Sequence, residues 1–389
     1  MILSLRSLYN LYIYLFIFFG LFAGNAAIYG VDFFFASIFF FALVFLVVDR
    51  SSRSSLITKN SEFFRRMLAI GLLFLLFFRS IFLEIPYVIY SLWPVKALVL
   101  IFLILYLRQK WYFELNTSFT NYILLIFLIF VALMLVFGGE SDGRYSFVFG
   151  PNVLYRVLIF FAITSIVLIR DDHKSKFYSV FIELSIIFVL ATLLAMIGSR
   201  GGIVVFMLIY AIISLKLMRK SRTVLLALIL IPLSMFLLIF VLDGSRVLYF
   251  TGLEQNLRFL FIYDFLSLIP DMPLQGFTWS DFVPYARYGF VYPHNMVLEL
   301  LFYYGILGVV VLTVVLLSMR PMMILLLREN GDVYSKIIAA AFFIFLFSSL
   351  LSGDLTDNFP VVAIALYSII PDRKVRVMDS KIKFSRNTA

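Results

Sequence analysis

Long apolar runs dominate this chain, and they leave few folds open to it. Most of them approach the length of about 20 residues that a helix needs to cross a bilayer core of about 30 Å. The runs are continuous and do not alternate at period two, which excludes membrane-spanning β-strands. The sequence therefore predicts an all-α polytopic membrane protein with about twelve spans, at approximately 9–29, 33–49, 67–84, 88–107, 119–137, 153–170, 177–197, 203–219, 223–242, 296–319, 337–351 and 359–370.

The composition excludes the soluble classes of protein. Of the 389 residues, 63% are hydrophobic and 14% are charged, whereas a soluble domain usually has roughly 45–50% and about 25%. The net charge of +10 is explained by membrane topology, so we expect no nucleic-acid partner. The chain has no cysteine, and its two histidines, His173 and His294, are far apart in sequence. We therefore expect neither a metal site nor a cofactor.

Basic residues predict how the chain is oriented. With the N-terminus in the cytoplasm, 24 of the 32 lysines and arginines fall in cytoplasmic segments, as the positive-inside rule requires. Residues 1–371 then form a single transmembrane domain. Residues 372–389 form a basic cytoplasmic tail beside anionic membrane lipids. One large excursion, residues 243–295, lies on the outer side between the ninth and tenth spans.

Eight basic residues remain on the outer side, and all but one are arginines. Arginine presents a planar, permanently charged fork that holds phosphate bidentately. A charge at membrane depth costs roughly 2.5–3.5 kcal/mol or more, so such residues usually face a partner or a cavity. A ring of arginines at the outer leaflet suits a lipid-linked diphosphate, although single arginines near helix ends also commonly extend to headgroups. The eight are Arg79, Lys96, Arg144, Arg156, Arg200, Arg246, Arg258 and Arg287.

Two of these arginines have informative surroundings. Arg200 follows the seventh span and precedes two glycines, which allow a ligand to approach the backbone closely. Residues 254–269 are predicted to form an amphipathic helix with Arg258 at the flank of its apolar face. The aromatic residues that follow, Tyr292 among them, suit either the membrane interface or stacking on sugar rings.

His294 is placed where it can act in chemistry. It precedes the tenth span at the outer face, and an imidazole is a base near neutral pH and a donor when charged. Glu299 follows at a spacing that puts both side chains on one side of a helix. The alternative for a lone histidine is a structural role.

Together these stretches resemble the membrane family of bacterial O-antigen polymerases (Wzy-type) and O-antigen ligases, which share a C-type glycosyltransferase fold. One position departs from the family's pattern, because Thr278 stands where its outer loop usually has a second glycine. The resemblance covers roughly residues 150–310. It rests on three motifs in the family's order: Ser199–Gly202, then Arg258 with Asp271–Gly276, then Pro293–Asn295 with Glu299 and Tyr304–Gly308.

The resemblance implies a metal-independent, inverting glycosyltransferase in the bacterial inner membrane. Its substrate would be an undecaprenyl-diphosphate-linked oligosaccharide, used on the periplasmic side, and a chain-length regulator would be its protein partner. Arg200 and Arg258 would hold the diphosphate, with Arg79 and Arg156 as further candidates, and His294 and Glu299 would be catalytic. Further contacts with substrate or loop are expected from Ser199, Tyr292, Asn295 and Asp354.

Three functions remain open on the sequence. A polymerase would transfer a growing glycan onto another lipid-linked repeat unit, and the late stretch Ser352–Asn358, which contains Asp354, favours it. A ligase would transfer the same glycan to lipid A-core. A transporter of lipid-linked sugars would favour polar residues at the membrane midplane and two similar halves. Neither feature is evident in the sequence.

Overall fold

The computed structural model describes thirteen segments of the chain. Two predicted spans, 33–49 and 223–242, and residues 243–264 and 283–294 of the excursion lie outside them. The described residues are 5–22, 27–28, 31–32, 60–83, 92–110, 117–141, 144–147, 151–171, 176–218, 265–282, 295–328, 332–351 and 355–369.

Ten long helices occupy the described part of the chain, and each overlaps one predicted span. They are α1 (Leu5–Phe22), α2 (Asn60–Ile81), α3 (Trp93–Lys110), α4 (Thr117–Phe137), α5 (Pro151–Asp171), α6 (Lys176–Ile197), α7 (Arg200–Met218), α9 (Met296–Leu327), α10 (Val333–Leu351) and α11 (Leu355–Ile369). In the excursion, a 3₁₀ turn (Ile269–Asp271) precedes the short helix α8 (Trp279–Phe282).

Two short antiparallel ribbons connect helices in the described residues. Strands β1 (Ala27–Ile28) and β2 (Val31–Asp32) pair after α1. Strands β3 (Gly139–Ser141) and β4 (Arg144–Ser146) pair between α4 and α5. Strands of two or three residues are too short to cross a bilayer, so the fold is that of an α-helical protein.

Among the described residues, five helices are long and apolar enough to cross a membrane. Shorter apolar helices lie at Asn10–Phe22, Leu68–Ile81, Gly201–Ser214 and Asp357–Ile369. These lengths and compositions are those of an α-helical membrane protein. The total of twelve spans stays a prediction. The five helical stretches are Phe119–Phe137, Asn152–Arg170, Ser179–Ile197, Met296–Leu327 and Val333–Leu351.

Helices α5 and α10 form the centre of the bundle. They pack against each other and against α7, while α4 and α6 flank α5 and α9 and α11 flank α10. Outer helices expose large apolar side chains, for example Phe137 on α4 and Leu317 on α9, which are 71% and 72% exposed. Apolar surface of this extent suits contact with lipid.

Helix α9 is broken at Gly305, a feature that the prediction of a span at 296–319 does not contain. Gly305 has φ 51° and ψ −124°, outside the helical region. In a straight helix, Leu300 and Gly308 would be about 12 Å apart along the axis, but here a Cβ on Gly308 would collide with the backbone of Leu300. The chain therefore bends sharply between a short arm, 296–304, and a long arm, 306–327.

Candidate functional site

In the described part of the chain, four helix termini meet at one end of the bundle. The starts of α5 and α7 touch, because a Cβ on Gly202 would lie 3.0 Å from the Cβ of Tyr155. The start of α7 lies against the end of α10, where Leu351 would be 3.7 Å from a Cβ on Gly201. The start of α9 joins the same place, since Asn295 Nδ2 donates to the carbonyl of Leu350 at 3.0 Å. We call this end of the bundle the candidate site.

The motif Ser199–Gly202 forms the cap and the first turn of α7, directly after α6. Gly198 has φ 66°, a conformation that glycine adopts without steric cost, and it ends α6. Ser199 caps α7, because its Oγ accepts a hydrogen bond from Gly202 N at 3.0 Å. Arg200 is the first residue of α7, where unpaired amides and the helix dipole favour anions.

The two glycines of this motif differ in their surroundings. The sequence predicts that both allow a ligand to approach closely. Gly202 instead allows α7 to pack closely on Tyr155 of α5. A glycine at position 202 is therefore explained by the packing of α7 on α5. A Cβ on Gly201 would make only an ordinary van der Waals contact.

Asn295 is both a helix cap and a tether. Its Oδ1 accepts hydrogen bonds from Val297 N at 2.9 Å and Leu298 N at 3.3 Å, which caps the short arm of α9. Its Nδ2 binds α10, as described above. One turn later Glu299 is buried, with a residue exposure of 3%, so the short arm carries a carboxyl group into the interior.

Arg156 lies at the same end but is wholly buried. Its Nη1 donates to the carbonyl of Asp357 at 3.3 Å, and its guanidinium lies 5.8 Å from the ring centre of Tyr155. Arg156 therefore links the starts of α5 and α11 beneath the candidate site.

Arg79 contacts three backbone carbonyls near the break in α9. Its Nε donates to Tyr303 O at 3.0 Å, and its Nη2 donates to Gly276 O at 2.9 Å and Phe277 O at 3.1 Å. The end of α2 is thus joined to the excursion and to α9. The role of Arg79 in diphosphate binding stays a prediction.

Two charged clusters lie at the other end of the bundle. Arg170 forms an ion pair with Glu183, and Tyr210 donates to the same carboxylate at 2.7 Å. Arg108 forms an ion pair with Asp332. Ion pairs of this kind join helices, and removal of one partner would leave a buried charge.

Some polar contacts were not predicted from the sequence. Tyr304 OH lies 2.7 Å from Ser80 Oγ and accepts a hydrogen bond from Trp93 Nε1 at 2.6 Å, so α2, α3 and α9 meet at one hydroxyl. The sequence signal for this contact is Tyr304, which stands beside Gly305 in the motif Tyr304–Gly308. Its partners Ser80 and Trp93 lie 224 and 211 positions earlier in the chain.

Predicted site residues divide into three groups. Ser199, the backbone of Arg200, Asn295, Glu299 and Arg156 come together at the candidate site, and Arg79 lies beside the break in α9. Predictions for four further residues fall outside the described part of the chain: Arg258, Tyr292, His294 and Asp354.

Comparisons with models of protein families, with curated proteins and with solved structures found no match to this chain.

Proposed function

We propose that this chain is an O-antigen polymerase, which joins undecaprenyl-diphosphate-linked repeat units on the periplasmic face of the bacterial inner membrane. The observation that carries the proposal is the meeting of the Ser199–Gly202 turn with Asn295 and the end of α10. Two of the three motifs on which the resemblance rests are thereby brought to one end of the bundle.

The start of α7 suits the diphosphate of the donor. Arg200 is the first residue of the helix, where free amides and the dipole attract an anion. Its guanidinium fork would add charge-assisted hydrogen bonds, and Arg258 would supply a second fork. Fixed cations of this kind stabilise the negative charge that develops on a leaving diphosphate without reorganisation.

The proposed transfer is a single displacement. A hydroxyl of the acceptor sugar attacks the anomeric carbon of the donor, and the bond from that carbon to the diphosphate oxygen breaks. Undecaprenyl diphosphate leaves with the electron pair, and the proton of the hydroxyl passes to His294. Glu299, buried on the short arm of α9, orients the imidazole. A general base typically supplies about 10²–10⁴-fold in rate.

The remaining features follow from the same proposal. The chain would have twelve spans of the C-type glycosyltransferase kind, with both termini in the cytoplasm and the 243–295 excursion in the periplasm. A chain-length regulator would be its protein partner. Tyr292 and Asp354 would contact the glycan or the loop around it.

The first experiment separates the polymerase from the ligase. Deletion of the gene is followed by gel electrophoresis of lipopolysaccharide and of lipid-linked glycans. We expect lipid A-core that carries a single repeat unit. Core without O-antigen, together with accumulated lipid-linked polymer, would instead identify a ligase. Lipid-linked repeats trapped on the cytoplasmic side would identify a transporter.

The second experiment tests the arginine forks. Arg200→Lys and Arg258→Lys should reduce polymer nearly as strongly as the alanine variants, because a lysine ammonium cannot bind bidentately. Arg320→Lys is a matched control, since Arg320 is an exposed residue of the long arm of α9. Polymer of normal amount from the Arg200 and Arg258 lysine variants, at normal expression, would contradict diphosphate binding by a fork.

A further inference from the structure

Residues 274–277, the docked segment, lie in the break of α9. The N–H of Ile306 donates to the carbonyl of Leu274 at 2.8 Å, and the N–H of Phe277 donates to the carbonyl of Phe302 at 2.6 Å. A Cβ on Gly276 would lie 2.5 Å from Phe302 O, and one on Gly305 would lie 2.5 Å from Gly276 N. Backbone therefore meets backbone, and no other residue type fits at either glycine.

Arg79 completes the hydrogen bonding of this contact. The last carbonyls of a helix lack partners within the helix, and the short arm ends before Gly305. Phe277 N donates to the carbonyl of Phe302, and Arg79 Nε donates to that of Tyr303. The Nη2 of Arg79 binds the docked segment at Gly276 and Phe277. A cation at a helix C-terminus is also favoured by the dipole.

Neighbouring rings and hydroxyls reinforce the same contact. Phe302 lies between Phe265, at 4.3 Å between ring centres, and Phe277, at 5.8 Å. Tyr304, beside the break, is held by Ser80 and Trp93. Together these contacts fix the end of the short arm to α2, to α3 and to the excursion.

The other end of the short arm belongs to the candidate site. The arm is about 14 Å long, and it begins at the Asn295 cap and carries Glu299. We infer that Arg79 is a positioning residue, which holds the docked segment in the break of α9 and so fixes Asn295 and Glu299 in the site. Its fork is used on carbonyls of the protein, so it is not a ligand of the donor.

Cross-linking tests this inference without any measurement of activity. The chain has no cysteine, and the side chains of Leu274 and Ile306 are exposed. The double variant Leu274→Cys/Ile306→Cys should form a disulfide on mild oxidation, because the backbone hydrogen bond holds the two residues close together. Arg79→Ala should slow its formation about tenfold, as measured by mass spectrometry of the linked peptides in membranes.

Enzyme kinetics provide the second test, which rests on the proposed function. With undecaprenyl-diphosphate-linked repeat units as substrate, Arg79→Ala should lower kcat about 100-fold, the order expected for a misplacement of about 1 Å. The KM for the donor should stay within about twofold. Oxidation of the double-cysteine variant in the Arg79→Ala background should restore kcat about tenfold, because the disulfide replaces the lost hold.

Controls keep the cross-linking test and the kinetic test separate. Arg320→Lys should change neither the cross-linking rate nor the kinetics. If Arg79→Ala is lost from the membrane fraction, Arg79→Lys takes its place, with the same directions expected. Absence of any glycosyl transfer by the native protein would defeat the proposed function and leave the cross-linking result to decide the inference.

Two results would overturn the inference. One is a cross-linking rate that Arg79→Ala and Arg79→Lys leave unchanged. The other is a raised donor KM with kcat unchanged and no rescue by the disulfide, which would place the Arg79 guanidinium on the diphosphate.

Discussion

At the scale of single residues, neighbouring glycines of one motif are constrained by different surroundings. Gly202 faces Tyr155 across a contact with no spare room, whereas Gly201 faces Leu351 at an ordinary distance. A protein interior is packed closely enough that one added methyl group is felt where neighbours cannot move.

We therefore predict that Gly202→Ala destabilises the protein by about 1–3 kcal/mol, the usual range for overpacking. Gly201→Ala, the matched control, should cost nothing measurable, because its Cβ would make an ordinary contact of 3.7 Å. Thermal unfolding of the purified protein in detergent measures both. Equal stability of the two variants would show that α5 and α7 can separate without cost.

The arginines show how far residues can be predicted from sequence. The sequence predicts Arg79 and Arg156 to be outer-side cations with polar partners, and in the structure both donate hydrogen bonds to backbone carbonyls. It did not identify their partners, which are backbone carbonyls of Tyr303, Gly276, Phe277 and Asp357. The carbonyl of Tyr303 is available to Arg79 because α9 breaks at Gly305, and side-chain patterns do not report such a break.

At the scale of elements, the break in α9 decides how the excursion is anchored. The positive φ of Gly305 and the close approach of the docked segment are both incompatible with a side chain. A non-glycine residue at this φ is strained, and the added Cβ would also push the docked segment away.

We predict that Gly305→Ala sharply reduces the amount of folded, monodisperse protein extracted from membranes. Gly71→Ala is the control, because Gly71 lies in α2 with no atom within 4 Å of its added Cβ, and alanine is the better helix former. Fluorescence-detected size exclusion compares the two. A normal monodisperse peak from Gly305→Ala would mean that the break can be rebuilt as a straight helix.

A capping box begins the short helix α8 in the excursion. Thr278 N donates to Asp281 Oδ2 at 2.7 Å, and Asp281 N donates to Thr278 Oγ1 at 3.4 Å. Thr278, the residue that departs from the family's pattern, is therefore accounted for by its role as a cap. The Thr278 N–H and hydroxyl both donate to the Asp281 carboxylate, which lowers the pKa of that group below its ordinary value.

This capping box should be sensitive to acid. Because the pKa of Asp281 is lower in the folded protein, its stabilisation is complete above the ordinary pKa and is lost as the pH falls through the lowered value. Amides of residues 278–282 should exchange with deuterium faster in Asp281→Ala than in the native protein at pH 7. The difference should shrink as the pH falls below about 4. A difference that does not depend on pH would contradict the assignment.

Elements were predictable where composition determines them. The apolar runs of α4, α5 and α6 match their predicted spans within a few residues, because a helix in lipid must be apolar for its whole length. The break in α9 was not predicted, since Gly305 lies in a run that is apolar on both sides. Its cause is the docked segment, which is separated from Gly305 in sequence and reaches it only when the excursion folds back.

At the scale of the whole molecule, the contacts join positions that the predicted topology places on one side. Arg79 with Gly276, Asn295 with Leu350, and Arg156 with Asp357 are predicted outer pairs. Arg108 with Asp332 is a predicted inner pair. A topology with one span too many between any of these partners would separate them by the thickness of the bilayer.

We predict that Ser280→Cys reacts with an impermeant maleimide on intact spheroplasts, and that Ser380→Cys reacts only after the membrane is opened. Both positions are serines in a chain without cysteine, so each variant carries one label site. Mass shifts on a gel measure the reaction. Reaction at 380 without reaction at 280 would invert the orientation and place the candidate site in the cytoplasm.

The general architecture could be predicted from the sequence, but the meeting of helix ends could not. Basic loops and apolar runs predict the side and length of each helix separately. Which termini meet depends on helix packing, such as α11 against α3 and α10 against α5, and on contacts like that of Gly202 with Tyr155. These depend on shape complementarity between distant parts of the chain.

The contacts of α2 and α3 with the C-terminal helices also determine when these parts of the bundle can assemble during synthesis. Arg79 meets Tyr303 across 224 positions, and Tyr334 meets Ile104 across 230. At about 5–20 residues per second, a ribosome needs roughly 10–45 s to cover that distance. For that interval the early helices exist without these partners, and other groups must solvate their arginines. Assembly of this bundle is therefore completed from its last helices, not its first.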